Sequence, residues 1–306
     1  MQDLQDWISR YLLDCKCQKN LDLKTVKAYR IDLEQFSAFI SQNNLDQTRE
    51  GLMEYISDLH QRYKPRTVKR KIASVKAFFG YLEYENLVRE NPFSRLRLKI
   101  NPPLILPRTI PLPVIEAILT TAYQAKENVG TAGQQKSILR DIAVLELLFA
   151  TGVRVSELCA LQYGDVQLEE GEIKIYGKGA KERFVQIVNS DVLNVLCHYH
   201  EAYKDAIEQA GTFFVNRSRK PLSTQSVRAI VNKYSKLAGV KKHITPHMFR
   251  HSFATLLLEE EVDIRYIQHL LGHSSIVTTQ IYTHVAGKKQ RDILSAKHPR
   301  NKIHSM

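Results

Sequence analysis

Residues 244–258, ITPHMFRHSFATLLL, place His247, Arg250 and His251 within about one turn of a helix that opens on Thr245 and Pro246. Threonine suits the cap and proline the first helical position. Cations do not suit this end, where the positive macrodipole costs each of them roughly 0.3–1 kcal/mol. An anion bound from outside reverses that cost, and phosphate is the anion that helix N-termini collect. At about 100° per residue, Phe249, Phe253, Leu256 and Leu257 line one face, while His247 and Arg250 lie a turn apart on the other. Both can then reach one ligand, and a phosphate-handling site is expected.

Other polar residues sit where helices and turns must hold them. In LLGHSS, Gly272 stands where a helix should end, and His273 follows in the turn before a short helix that carries Tyr282. Residues 151–152, a Thr-Gly turn, lead into VRVSELCALQ, which puts Arg154 at a helix start. EIKIYGKGAKERFVQI alternates Ile173 and Ile175 with polar neighbours, turns through glycines and runs out through Phe184 to Ile187, the pattern of a β-hairpin with a basic tip. Further helices are expected around residues 114–121 and 138–150, and over STQSVRAIVNKYSKLAGV, with Val227, Ile230, Val231, Tyr234 and Leu237 on one face and Gly239 closing it.

Nearer the N-terminus, Leu4, Trp7, Ile8, Tyr11 and Leu12, then Val26, Tyr29, Leu33, Phe36 and Ile40, have helical spacing, the second helix starting near Thr25. Residues 61–87 combine an apolar stripe, Ile72, Val75, Phe78, Phe79 and Leu82, with a run of cations: Arg62, Lys64, Arg66, Lys69, Arg70, Lys71 and Lys76. A solvated helix face ordinarily mixes both signs, so this run suits a phosphate backbone; Lys64, Arg66, Lys69, Arg70 and Lys71 are the candidate DNA contacts. Residues 91–111 hold five prolines without periodicity and read as a linker. The expected organisation is a helical domain over 1–90, the linker over 91–111 and a second domain over 112–306, mainly α with a small β-sheet.

Composition agrees with a polyanion partner. The 306 residues carry 44 Lys and Arg against 32 Asp and Glu, a formal charge of +12 and a pI near 9.4. Cys15, Cys17, Cys159 and Cys197 form no disulfide or zinc framework. The N-terminal stretch lacks a signal peptide's basic and apolar regions, and no apolar run reaches membrane-spanning length, so a cytoplasmic protein with no membrane partner is expected.

The segments TGVRVSEL, GKGAKER, HMFRHSFATLL, LLGHSS and TTQIYTHV, in this order, resemble the successive signature boxes of the tyrosine recombinases, or phage integrases, above all the Xer-type and simple integrase branch. The likeness spans the whole chain and implies a helical, SAM-like core-binding domain followed by an α+β tyrosine-recombinase catalytic domain. It implies a nucleophile, Tyr282, that forms a 3′-phosphotyrosyl bond, with Arg154 and Arg250 clamping the non-bridging oxygens. Lys178 would be the general acid, His247 would assist proton transfer from the tyrosine, and His273 would hydrogen-bond a phosphate oxygen. These types match what metal-free phosphodiester cleavage requires: a nucleophile, cations around a pentavalent phosphorus and a proton for the leaving 5′ oxygen. All six positions hold the expected types; Leu256 departs from the histidine of many relatives, at a position without an assigned role. His251 is assigned to packing.

Site-specific recombination of double-stranded DNA follows from the likeness: a C-shaped pair of domains around the duplex, a homotetramer joining two sites through a Holliday junction, and a C-terminal tail, with Ile293 and Leu294, contacting a neighbouring protomer. A paralogous recombinase or accessory protein can join. The covalent ester conserves the bond energy, so no cofactor, ATP or metal is expected. Three rivals differ in what they need. A zinc hydrolase built on His247 and His251, or on His269 and His273, wants glutamate where Met248 stands. A regulator that only binds DNA has no use for Arg154, Lys178 and Tyr282. A type IB topoisomerase shares the chemistry but relaxes one duplex.

Overall fold

The computed structural model describes residues 2–94, 96–98, 100, 103, 106–177 and 182–272. The chain divides into two compact units, 1–105 and 106–306.

The first unit contains α1 (Gln2–Cys17), α2 (Leu23–Gln42), α3 (Arg49–Arg62) and α4 (Pro65–Tyr84). Asp22 caps α2 through the Lys24 N–H, Thr48 caps α3 through the Gly51 N–H, and Pro65 opens α4. Their apolar faces meet in a core of Leu4, Ile8, Leu33, Phe36, Tyr55, Val75, Phe78 and Leu82. Inside it lies an ion cluster: Asp32 on α2 accepts from Arg70, from Lys71 at 3.1 Å and from Ser74 at 2.8 Å, all on α4. The helices over the first 40 residues fall where the periodicity expects them. Helix α3 was not read from the sequence, although Leu52, Tyr55, Ile56 and Leu59 carry its spacing.

The second unit opens with α5 (Leu112–Glu127) and α6 (Ala132–Thr151), continues through α7 (Val155–Ala160) and a 3-10 turn (Tyr163–Asp165), and reaches a sheet of β1 (Val166–Gln167), β2 (Glu172–Tyr176) and β3 (Glu182–Gln186). Helices α8 (Ser190–Ala210), α9 (Thr224–Leu237), α10 (Pro246–Glu259) and α11 (Ile264–Leu271) follow. α6 is buried on nearly every side from Ser137 to Leu148, as befits the central helix of a bundle. Asp141 on α6 accepts from Arg140 beside it and from Lys233 and Tyr234 on α9, fastening those two helices. α8, another helix not read from the sequence, packs on α6 through Leu196, Tyr199 and Ile207.

The strands are antiparallel in the order β1-β2-β3, with Ile173 opposite Val185 and Ile175 opposite Arg183. Alternation therefore sends Ile173, Ile175, Val185 and Arg183 inward, while Phe184 stays 51% exposed. Among the described residues, no helix is long and apolar enough to cross a membrane.

Candidate active site

α6 stops at Gly152 in the left-handed conformation, φ 59°, where a Cβ would lie 2.5 Å from the Phe253 ring. Only glycine makes both the turn and the approach. Two residues later Arg154 caps α7, its N–H donating to Glu157 Oε2 at 2.8 Å and its guanidinium to Oε1 at 2.6 Å. Arg183, inward on β3, gives the same carboxylate two bonds, 3.1 and 2.7 Å. Burial alone would raise the Glu157 carboxyl; the hydrogen bonds from Arg183 and Arg154 and the Arg183 charge outweigh it and hold the group below its ordinary value.

α10 starts where the sequence places it, with Thr245 as cap and Pro246 in the first turn. Arg250 differs from the expectation of an outward face. It is 4% exposed and donates to the carbonyls of Gly152 at 2.8 Å and Leu271 at 2.6 Å. Helical spacing sets an angle around α10, and the angle opposite Phe249 is covered here by the α6 turn and the end of α11. Phe253, Leu256 and Leu257 are correspondingly only half-buried.

The end of α11 gathers these cations. Its final carbonyls accept in turn from Arg183 (Leu270, 2.9 Å) and Arg250 (Leu271), and Gly272, its left-handed C-cap, accepts from Arg154 at 3.3 Å. A helix C-terminus leaves carbonyls without intrahelical donors and carries the negative end of the dipole, so guanidinium groups satisfy it in both respects. The structure thereby brings Arg154, from the first box, and Arg250, from the third, to Gly272 and Leu271, the two residues preceding His273.

His247 lies near the same cations. Its imidazole is pushed below its ordinary value by burial first and then by the charges of Arg250, Arg228 and Arg154. At neutral pH it is an uncharged ring that can accept a proton. His251 is held down to about 4 by burial, His247 and Arg250. Among the described residues, no three His, Cys, Asp or Glu side chains converge as a metal site. Lys178, His273 and Tyr282 lie outside the described residues, as does the tail with Ile293 and Leu294.

Lys64, which precedes α4, and Arg66 and Lys69 on it are exposed. Arg70 is half-exposed but bonded to Asp32. Lys71 corrects the sequence reading: its side chain is 3% exposed and pairs with Asp32 and Gln35, leaving no face toward a phosphate. It falls one position from Ile72 on the buried side of the helix, and the acid that explains it is 39 residues away in sequence. Sequence reasoning also passed over Glu157, Arg183 and Arg228. Glu157 stands three residues after Arg154, a spacing that pairs charges on a helix; Arg183 closes the GKGAKER box, and Arg228 carried no local signal.

Two family models match the chain, one described as the phage integrase family over residues 115–289 and one as the phage integrase N-terminal SAM-like domain over residues 8–86. A tyrosine recombinase of Agathobacter rectalis is 54% identical over 305 residues, covering 99% of this chain and 100% of that one. The chain belongs to the phage integrase family of tyrosine recombinases. Tyrosine recombinase XerC of Thermodesulfovibrio yellowstonii is 36% identical over 99% of both chains. Among solved structures, the XerH site-specific recombinase bound to palindromic difH substrate, in a post-cleavage complex, matches with a TM-score of 0.74 and 25% identity over 93% of this chain and 82% of that one. The helical architecture with its small sheet is thus that of the recombinases, and the protein is a DNA-breaking and rejoining enzyme of the site-specific class.

Proposed function

We propose that this recombinase cuts one DNA strand at a time through Tyr282 and exchanges strands between two double-stranded sites as a homotetramer, with a Holliday junction as intermediate. The observation that carries the assignment is the meeting of Arg154 and Arg250 at the end of α11, from boxes about 100 residues apart, with His247 close enough for both charges to lower its pKa. The Tyr282 Oη bonds to phosphorus, the P–O5′ bond breaks, and the departing oxygen takes a proton from Lys178. His247 receives the tyrosine proton, while Arg154, Arg250 and His273 neutralise the non-bridging oxygens. The 5′ hydroxyl of the partner strand reverses these steps.

In this reading residues 1–90, with Lys64, Arg66, Lys69 and Arg70, grip the duplex, 91–111 link, and 112–306 cut and, through their tail, contact a neighbouring protomer. The enzyme works in the cytoplasm, with no membrane partner, no cofactor and no resident metal.

The test is covalent capture. Nicked duplexes with a randomised core are incubated in EDTA with wild type and with Tyr282→Phe, then resolved under denaturing conditions. An adduct with wild type alone is expected, and its sequence yields the site. Salt-sensitive binding without an adduct would replace this reading with a regulator that only binds.

A further inference from the structure

Strand β3 places its residues against their hydropathy. Phe184 is turned to solvent and 51% exposed, while Arg183 takes the inward position opposite Ile175 and is 7% exposed. Burying a guanidinium is costly unless every donor is matched and the charge is paired. Here the charge is paired with Glu157 and three of the five N–H groups have acceptors. Two of its nitrogens grip the oxygens of Glu157 and Nε donates to the Leu270 carbonyl, while Gly272 leaves the space its Nη needs, since a Cβ there would come within 2.9 Å. At 7% exposure the side chain offers almost no surface to DNA.

The carboxylate Arg183 holds is the one that holds Arg154, and the helix end it caps supplies the Leu271 and Gly272 carbonyls used by Arg250 and Arg154. Without Arg183, Glu157 would keep its full charge in a buried site and draw Arg154 toward itself, away from an incoming phosphate. The Leu270 carbonyl would also lose its donor, loosening the segment on which both phosphate-clamping arginines rest.

We infer that Arg183 is a positioning residue of the recombinase. By dividing the charge of Glu157 and capping α11, it sets Arg154 for the scissile phosphate without touching DNA. The inference rests on the proposed role of Arg154 as a phosphate clamp.

The experiment measures single-turnover cleavage of the captured site at saturating protein, on two versions of the duplex: one with the normal scissile phosphate and one with a neutral methylphosphonate. In both, the Tyr282 Oη–P bond forms, the P–O5′ bond breaks, and the 5′ oxygen leaves with a proton. Only the normal phosphate carries the charge that Arg154 neutralises. Arg183→Met is expected to slow cleavage of the phosphate duplex by roughly 10²-fold, to slow the methylphosphonate by only a few-fold, and to leave DNA affinity within about threefold. Arg183→Lys, a point charge without the fork, should recover little. In a cycle with Glu157→Gln, the double variant should be no slower than the worse single one, because both act through one carboxylate.

Ile118→Ala, a truncation in the catalytic-unit core, controls for stability loss. An equal loss on both duplexes, or a loss that the control reproduces at matched melting temperature, would reduce Arg183 to a fold-holding residue and overturn the inference. Full activity of Arg183→Met would overturn it as well. If wild type forms no adduct, the recombinase reading fails and this inference falls with it; wild-type cleavage with an indifferent Arg183 sinks the inference alone.

Discussion

Two buried carboxylates, Asp32 in the helical unit and Glu157 in the catalytic unit, hold cations in nearly the same way and serve different ends. Asp32 takes Arg70, Lys71 and Ser74 from one neighbouring helix, and Lys71 is consumed completely, its amine divided between Asp32 and Gln35. Glu157 draws its partners from two places, its own helix start and β3, and one of them, Arg154, keeps 33% of its side chain exposed. At Asp32 the charge is shared with the buried Lys71 amine, which also meets Gln35, so the cluster fastens α2 to α4 although Arg70 keeps 48% of its side chain exposed. At Glu157 both partners are guanidinium groups, Arg183 buried and Arg154 one-third exposed, and the carbonyls at the end of α11 take a further donor from each. Exposure of one cation does not separate the two clusters; the second acceptor each cation meets does.

The most severe test of that contrast is Asp32→Ala. Stranding Lys71 in the core should cost about 3–5 kcal/mol of stability in urea or thermal unfolding, while cleavage by the folded fraction continues at low temperature. Loss of cleavage in fully folded protein would erase the distinction. Arg154→Ala should do the opposite: single-turnover cleavage falls by about 10²–10³-fold, equivalent to roughly 3–4 kcal/mol in the barrier, with a small change in melting temperature.

Acid acts on the catalytic unit through two imidazoles of α10. His251, at about 4 in the folded state against an ordinary 6.5, favours the unfolded chain once protonated. The unfolded state therefore binds more protons between these values, and stability, complete above about 6.5, should decline by on the order of 2 kcal/mol as the pH falls toward 4. His251→Gln should flatten that slope in pH-dependent melting curves. His247, lowered in the same direction, predicts a cleavage rate that is level at neutral pH and falls with acid.

The smallest effect separates neighbours on α4. Lys69→Ala should lower the slope of log affinity against log salt by about 0.9, the contribution of one released counterion, and leave stability nearly unchanged. Lys71→Ala should unfold the helical unit more easily and leave the slope alone. An equal change of slope for both would return Lys71 to the DNA surface.

Much of this could be read along the chain because it depends on neighbours in sequence. Pro246 and Thr245 begin α10, Gly152 and Gly272 end α6 and α11 in left-handed turns, and alternation about Ile173 and Ile175 makes a strand, all through local backbone preferences. The signature boxes likewise name Arg154, His247 and Arg250 before any geometry is known. α3 and α8 were legible too, through Leu52–Leu59 and Val192–Ile207 spacings that went unread.

Tertiary structure alone decided which way the charged side chains face. Nothing local supplies the acid that a buried Lys71 needs, exposes Phe184 beside a buried Arg183, or turns two donors of Arg250 to Gly152 and Leu271. Periodicity sets the angle of a side chain about its own axis. The partner waiting at that angle comes from another segment, and for a charge the partner determines whether burial costs several kcal/mol or none. The sequence by itself determined the residue types on which the proposed chemistry draws and the ends of the helices that carry them. Only the fold decided which arginine keeps a solvent-facing edge and which one is buried behind it, because that choice is made by contacts between segments far apart in the chain.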